Sequence, residues 1–203
     1  MRLIARLSVL AGAVLTLTTP SVARAQLVGF DNLSCGTGAA FSPYMGFSWN
    51  GFLCYDATMG NNSPGNSANA VVSKKNIIYN RFGTGSSITA ANPFSFTSAW
   101  ITRAVSNYNE TYRISGYLGA SLIGYVDVTE PQVATLFTFN FTGIDKVLFT
   151  NISNPCCNAG LFLDDITFTP IPAGPVVPEP ATLLLTGTGL AALGLISRRR
   201  RAA

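Results

Sequence analysis

The chain has 203 residues, a formal charge of +4, 11% charged residues, no histidine and four cysteines. Its charged fraction is less than half the ~25% of ordinary soluble domains. A basic total points first to nucleic acid, but Arg2, Arg6 and Arg24 precede residue 26 and Arg198, Arg199, Arg200 and Arg201 close the chain, while residues 26–175 hold six bases and eight acids. No nucleic-acid partner is therefore expected. Without histidine, Ser-His-Asp and Cys-His catalysis are excluded, and the commonest neutral metal ligand is missing. No catalytic residue is assigned, and the chain reads as a non-enzyme.

Residues 1–25 have the three parts of a signal peptide. Arg2 and Arg6 supply a positive start, residues 7–17 an apolar helix-forming run, and Ala23-Arg24-Ala25 a small-x-small cleavage site. The apolar run is too short for a membrane anchor of ~20 residues. Cleavage is expected after Ala25.

Residues 26–170 read as one all-β ectodomain. Strand-like segments follow one another at 27–33, 45–55, 70–73, 76–80, 94–102, 112–118, 122–128, 136–142, 146–151 and 161–169. The run 136–142 is the clearest, with Phe137, Phe139 and Phe141 alternating with Thr138, Asn140 and Thr142. Period-two alternation places these two sets on opposite faces of a strand. Residues 58–69 are polar and turn-rich, and read as a long loop. About nine short strands with Gly, Pro, Asn and Ser between them suit a jelly-roll-like β-sandwich.

Aromatic side chains with a polar edge serve sugar-binding faces. Phe positions and Trp49 are expected in the core. Tyr44, Tyr55, Tyr108 and Tyr112 are expected at the surface as glycan-contact residues. Glu110 and Glu130 are the only glutamates of the ectodomain. A glycosidase needs two carboxyls ~5–9 Å apart, and nothing in the spacing brings these two together. Asp164 and Asp165 are adjacent, so in a strand they point to opposite faces.

Residues 171–177 form a Pro/Gly linker. Pro178-Glu179-Pro180 follows, then sixteen uncharged residues, 181–196, then four arginines. Sixteen helical residues rise about 24 Å, and flanking arginines extend the span by snorkelling. A single transmembrane helix is expected, with Arg198 to Arg201 as its cytoplasmic stop.

Val177-Pro178-Glu179-Pro180-Ala181-Thr182, the Leu/Gly/Ala span and the arginine run resemble the PEP-CTERM sorting signal of Gram-negative bacteria. The resemblance covers residues 178–203 and implies an exosortase-type processing enzyme as partner. It implies an inner-membrane-anchored precursor that goes on to the cell surface or matrix. Pro178, Glu179 and Pro180 would be recognition residues. Such proteins are associated with biofilm and exopolysaccharide, so a structural or adhesive matrix role is implied, with extracellular polysaccharide as a partner.

A second resemblance spans the ectodomain. Phe30-Asp31-Asn32-Leu33, the segment 44–52, Asn80, the segments 94–99 and 139–144, and Leu163-Asp164-Asp165-Ile166 look like a group of exported jelly-roll domains. Jelly rolls commonly pair the first and last strands antiparallel. On that analogy Cys35 and Cys54 are expected to bridge to Cys156 and Cys157, export favouring disulfides. The alternative is Cys35–Cys54 with a vicinal Cys156–Cys157 bridge. Related architectures hold calcium between terminal strands, which makes Asp31 and Asp165 candidate ligands for a structural calcium with backbone carbonyls. No other cofactor is expected.

Overall fold

The alternating Phe and Thr residues become ladders in the computed structural model, which describes residues 24–59, 65–80, 85–153 and 160–170. Its strands are β1 (Gln26–Val28), β2 (Ser48–Asn50), β3 (Phe52–Asp56), β4 (Asn76–Asn80), β5 (Ser86–Arg103), β6 (Thr111–Leu118), β7 (Ser121–Thr129), β8 (Thr135–Asn151) and β9 (Leu161–Pro170). A 3-10 turn covers Ser67–Asn69. The all-β class is as expected. The signal helix, the linker and the transmembrane span fall outside the described residues. Among the described residues no helix is long and apolar enough to cross a membrane.

The strands follow one hydrogen-bonded path, β3-β4-β9-β5-β8-β6-β7, with β1 beside β9 and β2 beside β5. Two long strands make this path into a sandwich. Ser86 to Thr89 of β5 pair with Phe149 to Lys146 of β8, and Phe94 to Ile101 pair with Ile144 to Thr135. The later half of β5 also pairs with β9, and the later half of β8 pairs with β6. Register breaks between Thr89 and Phe94, where Pro93 cannot donate to a ladder. On β8, Gly143 (φ 71°) and Asn140 (φ 53°) adopt left-handed backbone at the next two register shifts, opposite Phe94 to Ser98. Both strands turn a corner here, and the sheet folds onto itself.

One layer is then β3, β4, β9, β1, late β5 and early β8. The other is β2, early β5, late β8, β6 and β7. Phe rings meet between the layers: Phe96 lies 6.3 Å from Phe149 and Trp49 lies 6.1 Å from Phe168, centroid to centroid. Val28, Ile78, Ile88, Ile114, Val147, Leu163 and Ile166 complete this core, all buried. Each such side chain contributes about 1.5–3 kcal/mol by leaving water.

The outer faces differ. The β4–β9 layer is covered by a second small core of Tyr55, Ala70, Ile77, Tyr79, Ala104 and Phe162. Loop residue Asn66 fastens this cover, its Nδ2 donating to the Arg103 carbonyl at 3.0 Å and the Gln132 carbonyl at 2.9 Å. Asp164 Oδ2 accepts the Val72 and Ser73 amides at 2.8 and 3.1 Å, and Asp31 Oδ1 accepts those of Lys75 and Asn76 at 2.9 and 3.1 Å. No loop of the described residues does this for the β6–β7–β8 face.

Several elements depart from expectation. The first strand stops at Val28, because Leu33 N donates to Phe30 O in a turn at 3.0 Å. Residues 70–73 are no strand; the Ala70 amide donates to the Ser67 carbonyl, and the Val72 and Ser73 amides go to Asp164. The two segments 136–142 and 146–151 are one strand, joined through Gly143.

The disulfide expectation is corrected. Cys35 is bonded to Cys54, with Cα atoms 4.9 Å apart, a normal separation. β1 does pair with β9, but only through Gln26 to Val28. The chain then turns away, and Gly36 (φ 54°) and Gly38 (φ 126°) return it to β3. There Ala39 and Cys54 exchange backbone hydrogen bonds at 2.9 Å. Cys156 and Cys157 lie outside the described residues.

Candidate functional site

Alternation on β6 puts Tyr112, Ile114 and Gly116 inward and Arg113, Ser115 and Tyr117 outward. The inward assignment follows from burial of Tyr112 and Ile114 in the core, and from Gly116, where a Cβ would meet the Phe141 ring at 3.0 Å. Cross-strand pairing then assembles the outer face. Ser115 pairs with Tyr125 and Leu148, Tyr117 with Leu122 and Lys146, and Arg113 with Asp127 and Thr150. Ser87 and Thr89 of β5 and Ser48 and Asn50 of β2 extend the same face.

Two tyrosines dominate it. Tyr125 is 52% exposed, and Tyr117 is half-buried. The Arg113 guanidinium carbon sits 4.1 Å from the Tyr125 ring centre, and Lys146 Nζ 4.7 Å from that of Tyr117, both within cation–π range. Arg113 is held in place by Asp127: Nε and Nη2 donate to the two carboxylate oxygens, each at 2.8 Å. That pairing raises the guanidinium's pKa and lowers the Asp127 carboxyl's. The face thus offers two fixed aromatic rings, two cations and a field of hydroxyls and amides. Such a surface can stack a pyranose and hydrogen-bond its hydroxyls.

The residues singled out from sequence fall elsewhere. Tyr112 and Tyr55 are buried, which corrects the expectation that they contact glycan. Tyr112 faces the core between the layers, and Tyr55 lies under the cover of the outer small core. Tyr44 is half-buried, its hydroxyl donating to the Gly29 carbonyl at 2.7 Å and lying 2.6 Å from Asn32 Oδ1. Tyr108 is exposed, but in the loop after Arg103, at the end remote from Tyr117 and Tyr125. The signal for Tyr117 was in the β6 alternation: Ile114 marks the inner set, and Tyr117 belongs to the other.

Glu110 and Glu130, unrelated by spacing, are brought together. The Glu130 amide donates to the Glu110 carbonyl at 2.9 Å, and both side chains are buried. Asn151 Nδ2 donates to Glu110 Oε2. Glu110 Oε1 and both Glu130 carboxyl oxygens have no hydrogen-bond partner among the described residues. Burial, then the charge of Glu110, pushes the Glu130 pKa up to about 8. Burial also raises Glu110. Asp164 is pushed up to about 6 by burial, against the amides it accepts. Burial acts to raise Asp31 too, but the amides of Lys75 and Asn76 outweigh it and hold its pKa low.

Asp31 and Asp165 both lie near Ser73: a Cβ on Gly29 would come 3.0 Å from Asp165 Oδ1 and 3.8 Å from Ser73 Oγ, and Ser73 hydrogen-bonds to Asp31. Among the described residues no three His, Cys, Asp or Glu side chains gather as a metal cage. A calcium ion here would take its remaining oxygens from hydroxyl and backbone.

This is an all-β sandwich with an aromatic sheet face that no loop of the described residues covers. Its C-terminal tail supplies the assignment: residues 176–201 match the PEP-CTERM protein-sorting motif, which marks the chain as an exosortase-dependent surface protein with a membrane-anchored precursor. Pro178, Glu179, Pro180 and Arg198 to Arg201 lie inside the matched stretch. No curated protein matches the sequence. Among solved structures, the chain is similar to the K2 cleaved adhesin domain of Lys-gingipain, at 13% identity and TM-score 0.47, covering 71% of this chain and 97% of that one. It is similar to TmCBM61 in complex with beta-1,4-galactotriose, at 11% identity and TM-score 0.40, covering 70% and 94%. A third likeness is the N-terminal CBM22-1-CBM22-2 tandem domain from Paenibacillus barcinonensis Xyn10C, at 12% identity and TM-score 0.41, covering 81% and 50%.

Proposed function

We propose that the protein is a surface-sorted, non-catalytic component of the extracellular matrix that contacts polysaccharide through the outer β6–β7–β8 face. The observation that carries this reading is the placement of Tyr117 and Tyr125 on one sheet face that no loop of the described residues covers, each with a cation on its ring. Rigid amphipathic rings give contact area at low entropic cost. The structural or adhesive role rests on the sorting motif, and the glycan contact on the face. Calcium at Asp31 and Asp165 is a proposal of the same kind, and a rise in melting temperature on adding calcium supports it.

Affinity electrophoresis through gels containing neutral or acidic polysaccharide tests the contact. Retardation of the wild type, and its loss in Tyr117→Ala/Tyr125→Ala with unchanged circular dichroism, supports it. Unretarded wild-type protein in every gel overturns it. A hydrolase reading finds less support: Glu110 and Glu130 are neighbours, but at 2% exposure each, neither presents its carboxyl to a glycosidic bond.

A further inference from the structure

The chain enters the sandwich at Gln26 and leaves it at Pro170, and both lie at the folded end. Gln26 pairs with Phe168, and Pro170 pairs with Phe94 beside the corner of β5. The turn between β6 and β7 sits at this end too. Tyr117 pairs with Lys146, and Lys146 with Thr89, just before the corner. Asp145 Oδ2 accepts the Gly119 amide at 2.8 Å, tying the turn to β8.

Hairpin turns in water favour polar residues, Gly and Pro. This one is flanked by Leu118, Leu122 and Ile123, which are 45%, 51% and 49% exposed. Leu27 and Met45 are exposed at the same end. Met45 lines, with Gln26, Pro93 and Pro170, an open groove of about 250 Å³. Five exposed apolar side chains thus lie where the chain departs for its anchor; Val133, Leu136 and Ile152 are exposed towards the other end, which carries no tether.

Ten residues, 171–180, separate Pro170 from the uncharged span that begins at residue 181. Ten residues span at most about 36 Å. Until the tail is cut, this end of the domain stays within that distance of the membrane. We propose that the β6–β7 tip docks into the lipid interface of the membrane that holds the precursor. The proposal rests on the membrane-anchored tail and is independent of glycan contact. A tether this short gives the tip a high effective concentration at the bilayer, so weak insertion is enough to occupy it. Leu118, Leu122 and Ile123 enter the acyl boundary, while Tyr117 and Lys146 are residue types that sit at headgroup level. Asp145 is the acid nearest the tip, and the Gly119 amide already engages its carboxylate. Leu122 is the cross-strand partner of Tyr117. Docking therefore half-covers the aromatic face in the precursor, and cleavage of the tail uncovers it.

The test uses the full-length chain in nanodiscs of phosphatidylethanolamine and phosphatidylglycerol, one copy per disc, with spin-labelled lipid as quencher. Leu122→Trp reports on the tip and Tyr108→Trp on the opposite end, above the common background of Trp49 and Trp100. Fluorescence at position 122 should be quenched at least threefold more than at 108. Amide exchange over residues 117–123 should also be slower in discs than after release of the domain, and Leu118→Ser/Leu122→Ser/Ile123→Ser should abolish that difference. Equal quenching at both positions, with the chain still in the disc, overturns the docking alone. Failure of the chain to enter discs overturns the anchor and the docking together. Protection that appears only with two copies per disc assigns the tip to self-association and overturns the lipid reading.

Discussion

Glu110 and Glu130 carry the largest electrostatic consequence of any single residues in the domain. The Arg103 guanidinium reaches the Glu130 carbonyl through Nη2 at 3.1 Å, and its charge opposes the rise in the Glu130 pKa without cancelling it. Unfolded, Glu130 titrates near 4.5; folded, near 8. The folded state holds the proton more tightly, so this contribution to stability is full below pH 4.5 and is lost as pH rises to about 8. A shift of that size corresponds to roughly 4–5 kcal/mol, a large share of a domain's usual ~5–15 kcal/mol. Asp164, raised to about 6, acts in the same direction over a lower window. The melting temperature should therefore fall steadily between pH 5 and 8, and Glu130→Gln should remove much of the fall. Identical slopes for wild type and variant in calorimetry would show that the pair is not protonated in the fold. At Cys35 and Cys54, a separation of 19 residues predicts a loss of about 3 kcal/mol for Cys54→Ser, read as a lower denaturant midpoint.

At the scale of elements, the corner in β5 and β8 decides the architecture. Alternation located β8 as two segments and the later half of β5 at 94–102, but not residues 86–93 of β5; β4 at residues 76–80 emerged with the bounds that the sequence suggested. Alternation could not say that segments 136–142 and 146–151 are one strand bent at Gly143, because a bend and a loop look alike in composition. Nor could it locate the cover over Tyr55, which draws on residues as distant in sequence as Ala104 and Phe162. Gly116 shows how closely the layers meet. Its missing Cβ would lie 3.0 Å from the Phe141 ring, whereas at Gly124 the distance is 3.6 Å. Gly116→Ala should cost about 1–3 kcal/mol through overpacking, and Gly124→Ala distinctly less. Equal losses in chemical denaturation would contradict this placement of β6 and β7 over Phe141.

For the whole molecule, the two ends of the sandwich are unlike. One gathers the buried glutamates, Arg103 and Asn151. The other gathers the chain's entry, its exit and the apolar β6–β7 tip. Removing residues 178–203 should abolish membrane retention and surface delivery while leaving the domain's melting temperature within about 1 °C, because the core of the described residues is built between Val28 and Phe168. Cell fractionation and a thermal melt of the truncated chain check both halves of that expectation.

The opening charge balance belongs to the termini, and the sequence alone settled it. The arginines sit in linear motifs, and a linear motif is read in order, without folding. The same holds for the sorting tail, matched over residues 176–201, and for the all-β class, since period two is a local property of the backbone. What tertiary structure decided depends on contacts between distant segments. It paired Cys35 with Cys54 and buried Tyr55 and Tyr112. It brought Glu110 to Glu130 and set Tyr117 beside Lys146 on the outer β6–β7–β8 face. Each outcome depends on which strand lies next to which, and composition and spacing do not encode that.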